Sequence, residues 1–195
     1  HYFSLSSERM LLNEAAERVA RAAFDPLGAR PVLTYLANRI EKVGPSSGAG
    51  GAPAAIPYST IAALDPAAGG HLVDDAGRLL PPLADDEIVL TSWAAADQQV
   101  QVRDRLRVTY FEPETTHGEE RETAAEFRVR AIVPLTEPKL PASRRRGPVY
   151  DQRPTAANDP DLTPEVKGIT DQASIADWDA PFPFDVRLHR QDDAA

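Results

Sequence analysis

Apolar residues first recur at helical spacing: Met10, Leu11, Leu12, Ala15, Ala16, Val19, Ala20, Ala23 and Phe24, with Glu8, Arg9, Asn13, Glu14, Glu17, Arg18 and Arg21 between them. The pattern predicts an amphipathic helix from Ser7 to Phe24, capped by Ser6 or Ser7 and stopped by Asp25-Pro26-Leu27-Gly28. From Arg30 to Val43 the β-formers Val32, Tyr35, Ile40 and Val43 predict a strand, whose alternation weakens at Leu36-Ala37-Asn38. Gly44 to Pro53 contains only Gly, Pro, Ser and Ala and reads as a flexible hairpin tip. Ile56 to Leu64 reads as the returning strand, so the two are expected to pair antiparallel.

Ala67 to Leu83 is rich in Gly, Asp and Pro and reads as turn. The most patterned stretch follows. Glu87 to Leu90 is a short apolar strand, Thr91 or Ser92 can cap a short helix through Trp93 to Asp97, and Arg105 to Phe111 turns Leu106, Val108 and Tyr110 inward. A polar turn around His117-Gly118 leads into Ala125 to Leu135, with Phe127, Val129 and Ala131 on one face. Beyond Pro134, prolines at 138, 141, 148, 154, 160 and 164 break any regular backbone. The aromatic residues Trp178, Phe182 and Phe184 imply that this irregular part packs on something.

These elements predict an α+β chain: an N-terminal helix packed on a mostly antiparallel sheet, a small β-barrel or sandwich-like lobe, and a Pro-rich irregular C-terminal part. One domain over 1–195 is expected, with sublobes 1–82, 83–136 and 137–195. A chain of 195 residues can bury a core of its own. The net charge of −9 disfavours nucleic acid and anionic lipid as nonspecific partners. Without cysteine there are no zinc-cysteine sites, iron-sulfur clusters, thiol nucleophiles or disulfides. The chain opens on His1, with no signal peptide after it, which suggests a piece cut from something longer.

Candidate chemistry is sparse. His1, His71, His117 and His189 are not spaced to share a helical face, and His117-Gly118-Glu119-Glu120 reads as a solvated turn rather than a metal cluster. Asp85-Asp86-Glu87 carries carboxylates suited to a cation or to acid–base work, but carboxylates after a Pro-Pro turn are usually turn formers. Gly44 to Gly51 resembles a phosphate loop only in composition, since no Lys-Ser or Lys-Thr follows. Arg144-Arg145-Arg146 reads as a solvated charge patch, and Trp178 between Asp177 and Asp179 as a ring packed on its own domain before a recognition hot spot. No catalytic, cofactor-binding or metal-ligating residue is assigned, and no cofactor is expected.

Leu33-Thr-Tyr-Leu-Ala-Asn-Arg-Ile40, Ile56 to Asp65 and above all Leu83-Ala-Asp-Asp-Glu-Ile-Val-Leu-Thr-Ser-Trp93 resemble a known family. The text is similar to the extracytoplasmic (periplasmic) domain of FtsX-like or MacB-like ABC transporter permeases of bacteria. In that family an acidic turn, Glu-Ile-Val-Leu, a short helix, Gly-Asp, a strand, a hairpin and Phe-Arg-Val-x-Ala-Ile-Val follow one another, and Asp85 to Ile132 keeps this order. Thr163 to Asp171 and Asp177-Trp-Asp179 also resemble the stretch after the hairpin in one branch. One departure is plain: Arg103-Asp104 stands where the family has Gly-Asp, and a positive φ at arginine is strained.

The resemblance implies a noncatalytic domain outside the membrane, set between two transmembrane helices of a parent permease. That parent would pair with a cytoplasmic ATPase subunit, allow a dimer, and couple ATP hydrolysis to a lipoprotein, peptide or small-molecule substrate. Contacts would run through loops such as Gly44 to Pro53 and Pro138 to Pro160. Two alternatives from other classes are a secreted hydrolase using carboxylates near Asp85 and Asp86, and a free-standing extracytoplasmic binding module.

Overall fold

The computed structural model describes residues 13–44, 55–63, 72–74, 76–112, 121–134, 139–140, 149 and 177–179. Helix α1 is Glu14–Phe24 and runs into a 3-10 turn, Asp25–Leu27. Strands β1 (Leu33–Lys42) and β2 (Ile56–Ala63) follow, then β3 (Glu87–Thr91), helix α2 (Ser92–Asp97), β4 (Arg105–Phe111) and β5 (Glu122–Val133). The chain is α+β, as its patterning predicts.

Helix α1 starts later than Ser7. Asn13 is extended at φ −72° and ψ 158°, and its Oδ1 accepts the Ala16 N–H at 2.8 Å, so an asparagine caps the helix in place of Ser6 or Ser7. Acidic Glu14 and Glu17 in the first turn and Arg21 in the last suit the helix dipole. Gly28, at φ +78°, donates its N–H to the Asp25 carbonyl at 2.9 Å and ends the element. The predicted stop at Asp25-Pro26-Leu27-Gly28 is where the helix ends.

The strands make one curled five-stranded sheet in the order β2-β1-β4-β5-β3. β1 pairs antiparallel with β2 (Ile40 opposite Ile56) and with β4 (Ile40 opposite Val108). β4 and β5 form an antiparallel hairpin, while β3 returns parallel to β5, with a bulge between Ile88 and Val89. Strands between Glu87 and Leu135 therefore do not stand as a lobe apart, because β4 hydrogen-bonds directly to β1. Non-local pairing of this kind has no local sequence signal.

One face of the sheet supplies the core: Ile40, Ile56, Leu106, Val108 and Val129, closed by Leu90, Ala95 and Val100 from β3, α2 and the turn after it. Leu106 is fully buried, and each such aliphatic side chain contributes about 1.5–3 kcal/mol by leaving water. Thr91 caps α2 by accepting the Ala94 N–H at 3.2 Å, as its position before the helix predicts.

The helix does not pack on the sheet. No residue of α1 is buried, and Val19 is 71% exposed, so its apolar stripe of Ala15, Ala16, Val19, Ala20, Ala23 and Phe24 lies open. Amphipathic spacing shows that a face is suited to burial, and it does not name the surface that buries it.

Candidate functional site

The acidic turn before β3 is built around Glu87. Its N–H donates to the Ala84 carbonyl at 3.0 Å and its Oε2 accepts the Ala84 N–H at 3.1 Å, closing the turn from both sides. The carboxylate is 11% exposed and lies 3.1 Å from Arg128 and 3.7 Å from Arg130. Asp86 is tied to β5 through its carbonyl, which accepts the Arg128 N–H at 2.7 Å. Asp85 and Asp86 themselves are exposed on the turn. Of the three acidic residues singled out in the sequence, only Glu87 is drawn into a network, and that network is made of arginines.

The turn from α2 into β4 is held at both ends. Asp104 Oδ2 accepts the Gln101 N–H at 2.8 Å and lies 2.7 Å from Lys42 Nζ, which also donates to the Gln99 carbonyl at 3.0 Å. The Lys42 ammonium, then the Gln101 N–H, hold the Asp104 carboxyl below the ordinary aspartate range. Gln99 and Arg103 have φ values of +49° and +84°, so two non-glycine residues sit in the left-handed half of backbone space within one turn. Arg103 is fixed there because its N–H donates to the Val129 carbonyl at 2.8 Å, while the Asp104 carbonyl accepts from Val129 at 2.9 Å. At Arg103 a residue with a Cβ thus holds a backbone conformation that favours glycine. Next to it the buried Gln98 leaves Oε1 without a hydrogen-bond partner among the described residues.

At the far end of β4, the Tyr35 hydroxyl donates a hydrogen bond to the Phe111 carbonyl, and its ring meets Tyr110 edge-on at 5.8 Å. Burial, then the neighbouring Tyr110, push the Tyr35 phenol up. Ala37 and Asn38, where alternation weakens, are both buried, and Asn38 Nδ2 donates to Glu122 Oε1 at 2.9 Å. Trp178 stacks edge-on against Tyr58 at 5.4 Å, so its ring does pack on its own chain, with Asp177 and Asp179 exposed beside it.

On the outer sheet face, Arg105 stands opposite Arg128 and Arg107 opposite Glu126. Glu126 lies 3.6 Å from Arg105 and 3.2 Å from Arg107, so one carboxylate serves both. This cluster is missed by reading elements one at a time. Its signal is the repeated Arg-x-Arg at 105–107 and 128–130, both within predicted strands.

The remaining sequence candidates fall largely outside the described residues: His1, His71, His117, His189, Glu119, Glu120, Arg144 to Arg146, and nearly all of the two loops expected to make contacts. Within the second loop, Leu140 and Val149 exchange backbone hydrogen bonds of 3.2 and 2.9 Å, a small antiparallel bridge. Among the described residues no group of three or more His, Asp or Glu side chains is arranged to hold a metal ion. Also among them, no helix is long and apolar enough to cross a membrane. No protein-family model matches the chain, and no curated protein matches it significantly.

Proposed function

We propose that the chain is a noncatalytic extracytoplasmic domain of an ABC transporter permease of the FtsX-like or MacB-like type. It would couple ATP hydrolysis by a cytoplasmic ATPase subunit to the handling of a lipoprotein, peptide or small-molecule substrate outside the membrane. The observation that supports this reading is the φ of +84° at Arg103, where the family text has glycine. A backbone that favours glycine persists there although the residue has changed, and it lies inside the ordered run of acidic turn, β3, capped α2, β4 and β5. In this reading Glu87 to Val133 is the family's small β lobe, here continuous with the β1–β2 pair.

The deciding experiment is to determine the coding sequence on both sides of the chain and the membrane association of its full product. The proposal expects apolar stretches of about 20 residues flanking this domain. It also expects the full product to resist alkaline extraction, with the domain open to protease from outside. A full product released from membranes by alkaline wash overturns it.

A further inference from the structure

We propose that the outer sheet face at Arg105, Arg107, Arg128 and Arg130 is a docking surface for a short acidic segment of a partner polypeptide. The segment lies extended over β4 and β5, with carboxylates at alternate residues. Arg105 and Arg128 are directly opposed across the two strands, a like-charge placement that destabilises a sheet on its own. Arg107 and Arg130 each lie two residues further along their own strands, in opposite directions, and so point to the same side. The four guanidinium groups thus occupy three successive rows, roughly 7 Å apart by strand geometry.

Their own carboxylates do not saturate them. Arg105 and Arg107 share Glu126, and Arg128 and Arg130 share Glu87, so within ion-pair distance four guanidinium groups meet two carboxylates, while Glu41, across from Arg107 on β1, is paired with Arg39 at 3.2 Å. Each guanidinium carries five N–H donors in a planar fork suited to bidentate capture of a carboxylate. All four side chains are about half exposed, which leaves donors facing solvent.

Charge complementarity and spacing select the occupant. An extended chain repeats its side-chain direction every two residues, about 7 Å, matching the arginine rows. The chain as a whole carries −9, so a polyanion such as nucleic acid or an anionic bilayer meets repulsion that grows with its own charge. A short acidic segment brings a few carboxylates to the arginines and little else. This proposal does not rest on the permease reading.

The test uses the full chain and a fluorescent peptide of alternating Asp and Thr, read by anisotropy, with an Asn-for-Asp peptide, inorganic phosphate and phosphatidylglycerol vesicles as comparators. The Asp peptide is expected to bind with salt-sensitive affinity, and R105Q/R128Q to weaken it by at least about tenfold while circular dichroism stays unchanged. E126Q removes the competing carboxylate and is expected to tighten binding about twofold or more, an effect that damage to the fold does not produce. Should R105Q/R128Q fail to fold, R107Q and R130Q carry the same expectation singly. Equal binding of Asp and Asn peptides, unchanged affinity in the arginine variants, or arginine-dependent binding of vesicles without peptide binding overturns the proposal.

Discussion

Replacing Arg103 by glycine is expected to stabilise the protein. The residue sits at φ +84° and is clamped by its N–H to Val129 and by the adjacent Asp104 carbonyl, so it cannot relax without breaking the β4–β5 connection. Holding a residue with a Cβ at positive φ costs about 1–2 kcal/mol. Glycine removes that cost but loses about 0.5–1 kcal/mol through the greater freedom of its unfolded chain. The exposed arginine side chain contributes little, within about 0.5 kcal/mol, as for most surface positions. The net gain is about 0.5–1 kcal/mol, or roughly 1–4 °C in Tm for a chain of this length. Urea unfolding followed by circular dichroism gives the measurement, with Arg103→Ala as the comparator that keeps the Cβ and hence the strain. If Arg103→Gly is no more stable than Arg103→Ala, the backbone at position 103 is not strained. The proposed kinship then loses its support as well.

The two helix caps should behave differently. Thr91→Ala is expected to lower global stability by about 1 kcal/mol because α2 carries buried Ala95. Asn13→Ala should reduce helical ellipticity and leave the main unfolding transition in place, because no residue of α1 is buried. Leu106→Ala, at a fully buried position, should cost about 2–5 kcal/mol in chemical denaturation. Asp104 has its folded-state pKa depressed by Lys42 and the Gln101 N–H, so its stabilisation is full above the ordinary aspartate range and is lost as pH falls through the lowered value. Asp104→Asn should flatten that acid limb of stability against pH, and an unchanged limb refutes the assignment.

How far the sequence reaches depends on how local each cause is. Alternation of Leu106 and Val108 with arginines, and of Val129 and Ala131 with arginines, is a property of a few adjacent residues, and both strands are found where it appears. Thr91 before an Ala-rich run marks its helix for the same reason. Ala37-Asn38 breaks the alternation because Asn38 is buried with its amide donating to the carboxylate of exposed Glu122, 84 residues away. Trp178 on Tyr58 is a contact still farther apart along the chain, and aromatic composition could say only that the ring packs somewhere. The parallel return of β3 beside β5 and the β1–β4 pairing are set by closure of a whole sheet, which no window of adjacent residues encodes.

The same distinction explains why the arginine surface escapes a reading along the chain. Arg105-x-Arg107 and Arg128-x-Arg130 each look like the wet side of an amphipathic strand, where isolated charges need no explanation. Pairing between strands sets Arg105 against Arg128 and places Arg107 between Glu126 of β5 and Glu41 of β1. Had the register slipped by two residues, Arg107 would face Arg128 and Arg105 would face Arg130, which leaves Glu126 with no opposed arginine and raises the repulsion. The observed register keeps Glu126 beside both Arg105 and Arg107, yet it still leaves one opposed pair of like charge. Burial of Leu106 and Val129 on one face excludes a slip of one residue but not a slip of two, so between registers two residues apart the outer charges count.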